Sequence, residues 1–122
     1  MTTEDFDGQL RKAFQDLQMQ MIDTKEKLHQ GDSTKHAMKQ NIRIAELVKE
    51  HLSTMNEDRP VYRSVGRVFL LETVESEIKR QDEDIRVCTE RIATLDRQKD
   101  YLQKSLAEAE KNLREMVQLR RS

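Results

Sequence analysis

His29 and His36 stand seven residues apart, a spacing that puts both on one face of a helix, where two imidazoles could hold a metal ion. Nothing completes the set. No cysteine lies near them and no carboxylate cluster supplies the remaining ligands, so the pair reads as exposed helix histidines. Asp82-Glu83-Asp84 offers three carboxylates in a row. Successive helix residues point to different sides, so these acids form a solvated face and not an acid–base pair. Cys88 falls on a periodic apolar position and reads as a small packed side chain, not a nucleophile. The chain has no glycine-rich phosphate loop and no nucleophile elbow. No catalytic residue, metal ligand or cofactor is therefore expected.

The elements behind these residues explain why chemistry is absent. The chain has 122 residues, of which 35% are apolar and 37% charged. An ordinary domain carries roughly 45–50% and 25%. One proline, no tryptophan and five other aromatic residues leave too little apolar volume to fill a compact core. Disorder is disfavoured because glycine and proline are scarce and 22 basic residues nearly cancel 23 acidic ones. Long helices with a thin apolar seam satisfy the composition. A net charge of −1 argues against nucleic acid as a partner. No apolar run reaches membrane-spanning length, so no membrane is expected either. Residues 1–9 are acidic and lack the apolar core of a secretory signal, and a lone cysteine suits a reducing compartment, cytosol or nucleus.

Two heptad seams are legible. The first takes positions 10, 14, 17, 21, 24, 28, 31, 35, 38, 42, 45, 49 and 52, of which Leu10, Phe14, Leu17, Met21, Leu28, Met38, Ile42, Ala45 and Leu52 are apolar. Thr24, Gly31, Lys35 and Lys49 interrupt it, and Gly31-Asp32-Ser33 predicts a local softening or kink. Toward its end the stripe broadens with Ile44, Leu47, Val48 and Met55, which predicts cover on more than one side. The second seam starts at Val74 and continues through Ile78, Ile85, Cys88, Ile92, Leu95, Leu102, Leu106, Ala109, Leu113 and Met116, interrupted by Gln81, Lys99 and Arg120. A repeat of 3.5 residues means helices that wind on a partner helix. Gln81 and Lys99 are expected to fix register. Thr73 is expected to cap the second helix, with Glu75 and Glu77 in its first turn.

Between the seams the pattern changes. Pro60 is expected to stop the first helix. Val61 to Val65 and Arg67 to Leu71 are rich in β-branched, aromatic and aliphatic residues around Gly66, which reads as one β-hairpin. A lone two-stranded hairpin is marginal in water, so its edges should pair with strands of other chains. The expected fold is mainly α: a long antiparallel two-helix coiled coil with a short β-hairpin between the helices at its base. One domain spans residues 1–122, with the first helix over about 8–55, the hairpin region over 56–72 and the second helix over 73–121. Each arm would extend on the order of 65–70 Å, and both termini would meet at the far tip.

These residues resemble the prefoldin β-type subunits over nearly the full chain. The resemblance is carried by Lys12-Ala13-Phe14, Leu17-Gln18 and Ile22-Asp23-Thr24 in the first arm. Tyr62, Val65-Gly66-Arg67 and Phe69 carry it in the connector, and Tyr101-Leu102, Ala109-Glu110 and Arg114-Glu115-Met116 in the second arm. Each match is weak alone; their shared order and spacing are specific. The single hairpin also resembles the β type, since the α type carries two. The resemblance implies a heterohexamer of two α-type and four β-type subunits, with hairpins joined into β-barrel bodies and coiled coils hanging as tentacles. It further implies an ATP-independent chaperone, not an enzyme, that captures unfolded chains, actin and tubulin above all, and passes them to the cytosolic chaperonin.

On that footing the tip residues Phe6, Leu10, Phe14, Leu113, Met116, Val117 and Leu119 are the candidates for client binding, through final turns that splay. Flexible apolar side chains repack cheaply against many partners. Leu10, Phe14, Leu113 and Met116 fit ordinary seam packing at least as well; Phe6, Val117 and Leu119, off the seam or beyond it, point more directly to the client. Acidic Glu4, Asp5 and Asp7 and basic Arg114, Arg120 and Arg121 offer charge for chaperonin docking, although the arginines also suit a helix C-terminus. Val61, Tyr62, Val65, Gly66, Val68, Phe69 and Leu70 are the assembly candidates. A structural coiled-coil scaffold or tether is the alternative. A leucine-zipper DNA binder is disfavoured because no basic stretch precedes a seam and the hairpin would have no role.

Overall fold

The computed structural model describes residues 3–121. Their order is helix, hairpin, helix: α1 (Thr3–Ser53), β1 (Val61–Val65), β2 (Val68–Glu72) and α2 (Val74–Arg121). Contacts group the chain into two compact units, residues 3–33 with 95–121 and residues 34–94.

In the first unit the beginning of α1 lies antiparallel to the end of α2. Asp7 meets Arg120, Gln20 meets Ser105 and Asp32 meets Lys99, so numbers rise in one helix as they fall in the other. Leu95 and Leu113 are buried between them, and Thr24 is the most buried of all at 3% exposure. The chain does not leave the helix at Gly31–Ser33, and these residues continue α1. Gly31 is half-covered and Asp32 lies 3.8 Å from Lys99 of the facing helix, contacts that favour the helical state at a weak position.

In the second unit the end of α1 and the start of α2 bury Ala45, Leu52 and Val74. Lys49 reaches Asp82 on the facing helix at 2.6 Å. Helix α1 ends at Ser53, seven residues before Pro60, so Pro60 is not what stops it. The Ser53 and Thr54 hydroxyls donate to the carbonyls of Glu50 and His51 at 2.7 Å, taking up acceptors that a continuing helix would have bonded. Helix α2 starts at a reciprocal cap. The Ser76 N–H donates to Thr73 Oγ1 (3.0 Å), and the Thr73 N–H donates to Ser76 Oγ (3.2 Å). This is a capping box with serine in the place usually held by Glu or Gln.

The hairpin pairs Val61 with Glu72, Tyr62 with Leu71, Arg63 with Leu70, Ser64 with Phe69 and Val65 with Val68. Its two-residue loop, Gly66-Arg67, has φ +60° at Gly66 alone. A positive φ at the first loop residue only is the signature of a type II′ turn, whose twist suits the flanking strands and which favours glycine there. Glu72 joins the hairpin to α2, accepting from Ser76 Oγ at 3.0 Å and lying 3.6 Å from Arg63.

The inward face of each helix follows the heptad positions closely. Of all the seam positions read from the sequence, only Phe14 and Arg120 are exposed. The polar interruptions Thr24, Lys35, Lys49 and Lys99 stay on the inward face. Basic residues among the interruptions meet aspartates of the facing helix: Lys49 with Asp82, Lys99 with Asp32 and Arg120 with Asp7. Gln81 lies half-buried on the same face.

Candidate functional site

Side chains alternate along a strand and cross-strand partners share a face. The register therefore sorts the hairpin into two faces. Val61, Arg63, Val65, Val68, Leu70 and Glu72 form one, on which Val61, Arg63 and Glu72 are half-buried. Tyr62, Ser64, Phe69 and Leu71 form the other, and it is open: Tyr62 is 61%, Leu71 66% and Phe69 71% exposed. The sheet has two strands only, so each strand has one side without a neighbouring strand among the described residues. In the same unit Ile44, Leu47 and Val48 form an exposed apolar stripe on α1. Of the broadened stripe, Met55 is half-buried, and the described residues leave Ile44, Leu47 and Val48 exposed.

All seven assembly candidates lie on this hairpin: Tyr62 and Phe69 on the open face, Val61, Val65, Val68 and Leu70 on the other, and Gly66 in the turn. Leu71, outside that set, shares the open face with Phe69. Strict alternation from Phe69 would have found it, since residues two apart share a face.

At the end of the first unit where residues 3–10 meet 113–121, the client candidates divide. Leu113 is 7% exposed and packed between the helices. Phe6, Leu10, Met116 and Val117 are half-buried. Phe14 and Leu119 are exposed, Leu119 at 68%. Asp7 and Arg120 bridge the two helix ends at 2.6 Å from Oδ1 to Nε, and this bond holds the Arg120 guanidinium above its usual pKa range. Met19, Ile22 and Tyr101, off both seams, are also exposed in this unit. A heptad reading discards such positions, although Ile22 and Tyr101 stand within the segments that carry the family resemblance.

The groups that could do chemistry stay apart. His29 and His36 are exposed, and His36 Nε2 lies 3.2 Å from Gln40 Nε2. Glu83 is clamped by Arg86, whose hydrogen bond holds its carboxyl below the usual range; Arg86 also reaches Glu90. Cys88 is half-buried on the seam. Among the described residues no group of three or more His, Cys, Asp or Glu could hold a metal ion, and no helix is long and apolar enough to cross a membrane.

Comparison with known proteins agrees with this architecture. The prefoldin subunit family model matches residues 15–120. The chain is similar to the probable prefoldin subunit 1 of Caenorhabditis briggsae, with 44% identity over 94% of this chain and 98% of that one. It is also similar to prefoldin subunit 1 of Homo sapiens, with 34% identity over 95% of each. Among solved structures, the prefoldin β subunit of Thermococcus strain KS-1 shares the fold with a TM-score of 0.57 at 20% identity, covering 93% of this chain and 90% of that one. The match along residues 15–120 and the identity held over nearly the whole length show that the chain belongs to the prefoldin family, whose subunits are non-enzymatic chaperone components.

Proposed function

We propose that the chain is a β-type subunit of a heterohexamer with α-type and other β-type prefoldin subunits. There it captures unfolded proteins such as actin and tubulin at the tips of its paired helices and passes them, without ATP, to the cytosolic chaperonin. Its place of work on this reading is the cytoplasm. The observation that carries the reading is the open hairpin face. Tyr62, Phe69 and Leu71 present aromatic and aliphatic surface to solvent on a two-stranded sheet. A sheet of this size needs further strands to be stable, and apolar surface so placed marks an interaction site. Sister hairpins supply both. The stripe of Ile44, Leu47 and Val48 extends the same unit's apolar surface onto α1.

Co-expression with an α-type subunit, followed by native mass measurement, tests the assembly half. A mixed hexamer is expected; a homodimer formed without the α-type chain would instead favour a scaffold that pairs along a seam. For the client half, removal of residues 1–9 and 117–122 from the assembled complex should weaken its suppression of actin aggregation. Unchanged suppression would sink that half.

A further inference from the structure

The end of the first unit is more closed than a client-holding surface should be. Of the described apolar residues there, Phe6, Leu10, Met116 and Val117 are half-buried and Leu113 is buried, and only Leu119 stands exposed. Two features bear on how firmly it is closed. The Asp7 carboxylate and the Arg120 guanidinium bridge the two helices at 2.6 Å, with each side chain about half exposed (45% and 46%). Asp7 sits near an N-terminus and Arg120 near a C-terminus, where each charge also suits its own helix dipole. The residue after Asp7 is Gly8, inside α1. Its φ is not positive, and a Cβ placed on it would meet nothing within 4 Å. Neither backbone conformation nor close packing calls for glycine at this position. What Gly8 does is weaken the helical turn that carries the bridge.

We propose that the Asp7–Arg120 ion pair, set on the weak turn at Gly8, is a latch that keeps Phe6, Leu10, Leu113 and Met116 between the helices until a client competes for them. An exposed ion pair contributes little and is screened by salt, so this latch opens readily. The glycine lowers the helical stability that opening must overcome. The bridge and the glycine thus act in opposite directions on one equilibrium. The client's part rests on the proposed function; the latch itself does not.

The test uses Asp7→Asn, Arg120→Gln, their double variant and Gly8→Ala in the assembled complex. Amide hydrogen exchange over residues 3–10 and 113–121 is the first readout, and affinity for chemically unfolded actin the second. Asp7→Asn and Arg120→Gln should each speed exchange by about two- to five-fold, the range open to an exposed pair. The double variant should add little to either single one, and 0.5 M salt should speed exchange in the parent chain but not in the variants. Gly8→Ala should slow exchange by about four- to five-fold, the usual gap between the two residues in a helix. Exchange that is unchanged in both charge variants, or that moves the same way in Gly8→Ala as in Asp7→Asn, overturns the latch. The actin readout judges the client reading separately. Higher affinity in the charge variants and lower affinity in Gly8→Ala supports it, while exchange that moves without affinity leaves the latch standing and counts against client binding at this end.

Discussion

Leu95 and Thr24 are both buried in the first unit, yet only one of them looks like a core residue in the sequence. Leu95 falls on the seam and is apolar, so its burial follows from the heptad alone. Thr24 also falls on the seam, and its polarity reads as an interruption, but position on the inward face outweighs residue type. With so few buried apolar side chains, each matters. Leu95→Ala should lower the unfolding free energy by about 2–4 kcal/mol, within the range for buried leucine truncations. Denaturant unfolding followed by helical circular dichroism checks this; a loss below about 1 kcal/mol would mean that the seam is not the core. Residue-scale inference fails where the partner is remote in sequence. Lys49, Lys99 and Arg120 are visible as basic residues on apolar stripes, but the pattern within one helix says nothing about Asp82, Asp32 and Asp7, which pair with them.

At the scale of elements, the hairpin and both helices are legible because each has its own period, two against three and a half. The boundaries are less so. Helix α1 begins at Thr3, earlier than the first seam residue, and ends at Ser53, where hydroxyls take the last carbonyls. Pro60 cannot continue a helix, yet α1 is already finished seven residues earlier by local hydrogen bonds. Gly31 lies inside α1, half-covered by the facing helix, so the chain stays helical through its weakest stretch. Gly8 and Gly66 show what glycine does where packing does not decide. Gly66 alone has the left-handed φ that a two-residue II′ loop needs, whereas Gly8 sits in an ordinary helical turn with open space around it. The ion pairs are exposed and each contributes little, but together they favour one register, since a slip by a turn would part all of them.

For the whole molecule, the composition says from the start that the chain is too poor in apolar residues to enclose a core. The structure shows where the deficit falls. In the second unit the uncovered apolar side chains concentrate on the hairpin and on the α1 stripe, and the described residues leave both exposed. That a sister subunit covers them is the central claim, and Phe69, the most exposed of the hairpin's large apolar side chains, tests it most directly. In the isolated chain Phe69→Ala should change little, because the side chain has almost nothing to lose. In the assembly its removal should cost about 3–5 kcal/mol at each interface that buries it. Native mass measurement of Phe69→Ala co-expressed with an α-type subunit, alongside helical circular dichroism of the isolated chain, should show loss of the hexamer with helicity retained. A hexamer as stable as that of the parent chain would contradict the account.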